Sequence, residues 1–264
     1  MNSFARWILG MFPRTFLQRL ANLLLPFLDF YFRGNRYTDP INGKSYRSFL
    51  PYGYVKIRPN ALSPGTLSLE RHRLIWLYLQ SETDFFTKPS KVLHMAPEKA
   101  FMTRLRKLKH LDYTTCDLES PLAKIKADIC DLPFADNSFD WILCNHVLEH
   151  IPNDTKAMQE LFRVLKPAGK ALLQVPLDTA RDSTFEDNSI TDKVMRTKVF
   201  GQYDHVRIYG MDYFDKLRAV GFEVDELQFG KTLSEEARKR YVVVANEYIP
   251  IGIKPIDDQR QSPK

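Results

Sequence analysis

The chain has 264 residues, of which 44% are hydrophobic and 27% charged, and 38 Lys and Arg face 32 Asp and Glu for a formal net charge of +6. That length holds one large domain, or one domain with a small appendage, and the composition is that of a globular protein. The basic excess is mild and no Lys/Arg block runs along the chain, which argues against nucleic acid as the partner. The three cysteines, Cys116, Cys130 and Cys144, show no metal-ligand spacing. A disulfide framework is therefore not expected, and a reducing, cytoplasmic setting is.

Residues 1–36 read as an amphipathic helical extension. Arg6, Arg14, Arg19, Arg33 and Arg36 face a single acid, Asp29, and the apolar run from Trp7 to Leu28 is broken at Asn22 and Pro26. The run falls short of the roughly 20 apolar residues of a spanning helix. No small-residue cleavage site follows it, so a signal peptide is not expected. Packing on the main domain is the favoured reading. A peripheral membrane contact through an interfacial helix is the sharper one, and a contact between copies is the third, so the oligomeric state stays open.

Residues 37–67 form a small, loop-rich unit. It has two matching corners, Asp39-Pro-Ile-Asn42 and Ser63-Pro-Gly-Thr66. With cysteines at those four positions the spacing would be that of a zinc ribbon. Asp39, Asn42, Ser63 and Thr66 offer neither thiolate nor imidazole, so the expectation is a ribbon shape without zinc, weighed against two unrelated proline turns. No metal ligand is expected elsewhere.

A helix follows over 68–80, with Ser68 as its cap and Leu74, Ile75, Leu77 and Tyr78 as its apolar face. Arg71, His72 and Arg73 read as surface or salt-bridge residues. From Lys91 short strands and helices alternate. Strands are expected at Lys91–Met95, Tyr113–Cys116, Phe139–Leu143 and Lys170–Val175, and helices at Lys99–Lys107, Asp154–Leu165 and Met211–Val220. Phe222–Phe229 and Tyr241–Ala245 are expected to close the sheet, with the short segment Leu233–Lys239 between them. This alternation predicts an α/β fold with a Rossmann-like, seven-stranded, mostly parallel sheet and a final antiparallel strand. The domain is expected over 68–250, with a polar, loose tail over 251–264.

Asp128-x-x-Asp131-Leu-Pro-Phe-x-Asp136-Asn-Ser-Phe139-Asp140, then Cys144-Asn145-His146-Val-Leu-Glu149-His150, then Arg163-Val-Leu-Lys166-Pro-x-Gly169, form a connected pattern. On these motifs the region of about 91–246 resembles class I S-adenosylmethionine-dependent methyltransferases, and more narrowly their type 11 group. The resemblance implies S-adenosylmethionine as cofactor. It implies ribose contact by Asp117, adenine contact by Asp128 and Ile129, and methionine-side contact by Asn145 and His146. Asp140 matches a structural position and is left out of the site. The family's Gly-x-Gly-x-Gly loop after the first strand is replaced by Ala96, Glu98 and Ala100, and its acid by His94. Ala96 still allows a tight turn, and Glu98 is a candidate for the cofactor's amino group or a plain helix cap.

The insert 178–210 sits where this fold often covers its substrate, and it is rich in Asp, His, Arg and Tyr near its end. His205 is the first candidate for a general base, with His146 the second, against a His205 merely satisfied by backbone. The expected function is methyl transfer to a small or lipid-like acceptor. Two rival readings are an inactive binding protein that keeps the fold and a nucleic-acid methyltransferase.

Overall fold

The computed structural model describes residues 24–53 and 57–256. Of the expected extension, 1–23 lies outside the described residues, as does 257–264 of the expected tail. The chain divides into two compact units. One comprises the residues up to Leu77 with Leu233–Val244, and the other comprises Tyr78–Thr232 with the residues from Ala245.

In the first unit, helix α1 is described over 24–31. Two hairpins follow, β1 (Arg33–Asp39) with β2 (Lys44–Tyr46) and β3 (Leu50–Tyr52) with β4 (Arg58–Leu62). Helix α2 (Glu70–Ser81) then carries the chain into the second unit. The two proline corners meet at Asp39. Its buried carboxylate accepts from Ile41 N, Thr66 Oγ1 and Ser68 Oγ at 3.0, 2.5 and 3.2 Å. Ser68 therefore spends its hydroxyl on Asp39, and Leu69 N–H donates instead to His72 Nδ1 at 2.9 Å. Arg73 is not a surface residue. It is fully buried and donates to the carbonyls of Ala61, Ser68, Tyr241 and Val242 at 2.7–3.1 Å. Burial pulls its pKa down to about 10, against the charges of Asp39 and Glu70, so it stays cationic at neutral pH. Four converging carbonyls, two of them from the C-terminal end of helix Glu235–Tyr241 and its cap, keep a charge inside that the local sequence would place outside.

The second unit is built on the expected sheet. Its strands are β5 (Ser90–Met95), β6 (Leu111–Asp117), β7 (Ile125–Lys126), β8 (Phe139–Cys144), β9 (Leu165–Leu172), β12 (Glu223–Leu227) and β13 (Ile249–Ile253), and β10 (Phe185–Glu186) pairs separately with β11 (Arg207–Ile208). The spatial order is β12-β13-β9-β8-β5-β6-β7. The pairs from β9 to β7 are parallel, and β13 is antiparallel to both of its neighbours. Helices α3 (Lys99–Leu105), α4 (Asp154–Val164), α5 (Lys193–Phe200) and α6 (Tyr213–Val220) complete the unit. Leu93, Ile142, Leu143, Ala171 and Leu173 are buried with Ala157, Leu161 and Leu217 of the helices. The buried parts of β5 and β8, Val92–Met95 and Trp141–Cys144, thus read as mostly apolar runs because both of their faces are covered.

Two elements fall elsewhere than expected. The last strand is Ile249–Ile253, not Tyr241–Ala245, so Ile251, Gly252 and Ile253 belong to the sheet, not to a tail. Val242 stands at φ +50°, the left-handed region that a β-branched residue in a strand does not adopt. The insert 178–210, for which no helix is expected, contains α5, capped by Asp192, whose carboxylate accepts from the amides of Val194 and Met195.

The last of the three motifs, from Arg163 to Gly169, is a set of tethers. Arg163 holds the 132–136 loop. It donates to the carbonyls of Leu132 and Phe134, to Asp136, and twice to Glu160. Asp140 accepts from Lys91 N and Lys166 Nζ, both at 2.8 Å, which ties β8 to the start of β5 and agrees with its structural assignment.

Candidate active site

The carboxyl edge of β5, β6 and β8 gathers most of the expected cofactor residues. A parallel sheet opens its ligand crevice at this edge. β5 and β8 both leave the sheet through left-handed residues, Ala96 at φ +44° and His146 at φ +53°. Ala96 adopts the left-handed backbone that glycine would take without strain.

His94 is fully buried and faces protein on both nitrogens. Nδ1 lies 2.6 Å from the Tyr113 hydroxyl, and Nε2 accepts from Glu98 N–H at 3.4 Å. It braces the altered loop from beneath. Glu98 precedes α3, and no side-chain capping bond is made there. Its Oε2 instead accepts from Asn145 Nδ2 at 3.2 Å. Glu98 and Asn145, distant in sequence, are thereby joined across the edge.

Asp117 ends β6 as expected. Its Oδ1 accepts from the amides of Glu119 and Ser120 at 2.8 and 2.5 Å, which orients the second oxygen. Asp128 is exposed, and its Oδ1 accepts from Cys130 N at 2.8 Å. The Ile129 side chain packs in the hydrophobic core. Asn145 Oδ1 and His146 Nε2 are buried with no hydrogen-bond partner. Unmet polar atoms of this kind cost free energy unless a ligand satisfies them.

His205 lies elsewhere in the unit, against the turn after β8. Its ring stands edge-on to His150 with centroids 4.7 Å apart, and Nδ1 faces Phe200 O at 3.2 Å. Burial lowers its pKa, so it is neutral at neutral pH. Arg207 clamps this region by donating to the carbonyls of Leu148, Ile151 and Pro152 at 2.5–3.0 Å, and to Glu186 at 2.5 Å.

Sequence reasoning missed Glu149. Its side chain is 1% exposed, and Oε1 lies 3.2 Å from His146 Nδ1. Burial works to raise its pKa, but the contact with His146 and the charges of His146 and His150 outweigh that, so the net shift is downward. Glu149-His150 stands in the quoted motif, but only burial marks it as more than a solvated pair.

Residues 83–173 match the family described as "Methyltransferase domain". Over 79 residues the chain is 42% identical to an uncharacterized protein of Methanocaldococcus jannaschii, covering 29% of this chain and 35% of that one. Over 127 residues it is 28% identical to a 2-phytyl-1,4-naphtoquinone methyltransferase of Nostoc punctiforme, covering 48% and 52%. The chain thus spans between a third and about half of the length of these relatives. Among solved structures it is similar to a 1,6-didemethyltoxoflavin-N1-methyltransferase of Burkholderia thailandensis, at 15% identity and TM-score 0.46 over 70% of this chain and 78% of that one.

Residues 83–173 therefore carry the similarity to a methyltransferase domain, and they lie within the mostly parallel sheet. The cofactor of that class is S-adenosylmethionine. The donor set fits it: three carboxylates, of Glu98, Asp117 and Asp128, and an unmet carbonyl oxygen on Asn145 suit a ligand that brings an ammonium, a sulfonium and ribose hydroxyls.

Proposed function

We propose that the protein is an S-adenosylmethionine-dependent methyltransferase acting on a small, quinol-like or lipid-like acceptor. The observation that carries this reading is the pair of buried, unpartnered polar atoms of Asn145 and His146 at the sheet edge inside the matched segment. When bound, S-adenosylmethionine supplies a methyl group already activated on a sulfonium sulfur. Asn145 and Glu98 hold the amino-acid end of the cofactor, Asp117 holds its ribose, and Asp128 holds its adenine.

His146 is the favoured general base. The ionised Glu149 beside Nδ1 favours the tautomer with its proton there, which leaves the Nε2 lone pair to take a proton from an acceptor hydroxyl. His205 is the second candidate, neutral and desolvated. The quinone specificity of the Nostoc punctiforme relative supports the acceptor class. So does the exposure of Phe27, Phe30 and Tyr31 on α1, with Arg47 stacked over Tyr31 at 4.4 Å, a surface suited to a lipid interface. Within 37–67, the bond from Thr66 to Asp39 supports a ribbon shape held by hydrogen bonds instead of metal.

The test is transfer of labelled methyl from S-adenosylmethionine to a panel of hydroxylated quinols, with and without anionic vesicles. Transfer that needs His146 is the expected result. Absence of S-adenosylhomocysteine binding at millimolar ligand would replace this reading with that of an inactive binding protein, a role the altered loop at Ala96 and Glu98 would suit.

A further inference from the structure

We propose that Glu149, His150 and His205 form a binding site for one divalent transition-metal ion. One ligand atom from each of the three lies within 4.8 Å of the other two. Ligand atoms about 2.1 Å from a tetrahedral metal stand about 3.4 Å apart, so side-chain shifts of about 1 Å close the set. Two imidazoles and one carboxylate suit zinc, iron, cobalt or nickel better than magnesium or calcium.

Three further observations point the same way. The Glu149 side chain is 1% exposed, its Oε1 has only the 3.2 Å contact with His146 Nδ1, and its Oε2 has no hydrogen-bond partner. A buried carboxylate in that state is costly unless a cation meets it. Both imidazoles turn Nδ1 to a backbone carbonyl, His205 to Phe200 O at 3.2 Å and His150 to Asp204 O at 3.3 Å. A carbonyl only accepts, so each Nδ1 carries the proton and each Nε2 presents its lone pair. Metal-bound histidines are held in this way. The scaffold is also closed without a metal. Val206 N–H donates to Glu149 O, and Arg207 grips the carbonyls of Leu148, Ile151 and Pro152, so turn and strand meet before any ion arrives. His150 is partly exposed and supplies the entry.

Three protein ligands leave coordination positions for water or an acceptor oxygen. Its donors are distinct from Glu98, Asp117, Asp128 and Asn145, while Glu149 also faces His146, the base of the proposed function.

The experiment uses the full chain, stripped with a chelator and titrated with Co2+ alone. One equivalent should bind with a visible absorption band and a Kd below about 10 μM, near −7 kcal/mol. His150→Gln and His205→Gln should each weaken binding about tenfold or more, and His110→Gln, outside the cluster, should not. Circular dichroism shows which variants fold. If either ligand variant does not, 15N imidazole spectra of the wild-type chain titrated with Zn2+ decide instead. The Nε2 resonances of His150 and His205 should move and that of His110 should not. No cobalt band at millimolar Co2+, undiminished binding in a folded His150→Gln, or unmoved resonances overturns the site.

Discussion

Replacing Arg163 by Gln tests whether the last turn of α4 holds the 132–136 loop in place. In the native protein the Arg163 hydrogen bonds hold the Glu160 carboxyl down at about 2, from an ordinary 4.5, with burial opposing and the Leu132 amide and Lys156 assisting. At about 1.4 kcal/mol per pH unit this displacement corresponds to about 3 kcal/mol. Arg163 is close to a third exposed, so screening brings the expected contribution to about 1–2 kcal/mol. A depressed carboxylate pKa contributes stability that is fully present above 4.5 and disappears as pH falls towards 2. Arg163→Gln should therefore lower urea-unfolding stability by about 1–2 kcal/mol at pH 7, plus the cost of the freed carbonyls of Leu132 and Phe134. The gap from wild type should narrow between pH 4.5 and pH 2, where the wild type loses the Glu160 term. The variant should also bind S-adenosylhomocysteine more weakly, because the 132–136 loop adjoins Asp128. A gap that stays constant from pH 7 to pH 2.5 would refute the argument, since the contribution would then not come from the ionised pair.

Ala96→Gly should raise the melting temperature slightly. Relief of a left-handed alanine, about 1–2 kcal/mol, exceeds the extra chain entropy of glycine, about 0.5–1 kcal/mol. Ala96→Val should lower it, and a Gly variant that melts below wild type would remove the strain argument. Glu98→Gln should weaken S-adenosylhomocysteine binding about tenfold by calorimetry, because a charged partner of the amino group becomes neutral; unchanged affinity would leave Glu98 as no more than a partner for Asn145. Ile251→Ala should cost about 2–5 kcal/mol in denaturant, as expected for a buried strand residue and not for a tail. Arg207→Met should speed amide exchange at Val206 and Ile151, which leaves exchange across β5 and β8 as the internal control.

The parallel sheet was legible from Lys91 onward because its signals are local. Apolar strand runs, the capped amphipathic helix at Asp154 and the stop at Gly221 each follow from a few adjacent residues. The carboxyl edge of the sheet was legible as a pattern, since Asp117, Asp128 and Asn145 each stand at or just after the end of a strand. What those residues touch was not legible. The bond from Asn145 to Glu98 spans 47 positions, and the brace from His94 to Tyr113 depends on the parallel pairing of β5 with β6.

The same limit explains the last strand. Tyr-Val-Val-Val-Ala at 241–245 has the stronger strand composition, and Ile-Pro-Ile-Gly-Ile at 249–253 looks interrupted. In the sheet, however, a Cβ on Gly252 would come within 2.7 Å of the Phe222 ring, and Pro250 contributes its carbonyl to Leu173 N–H. Both apparent interruptions are demands of neighbours that local propensity does not register. Arg73 and the group of Glu149, His150 and His205 are of the same kind. The sequence by itself determined which segments become strands and helices and which motif lies at the sheet edge, because those follow from periodicity and turn chemistry. Only the tertiary structure decided which charges are buried and which distant side chains share a site, because desolvation and partnership exist only once the chain has closed on itself.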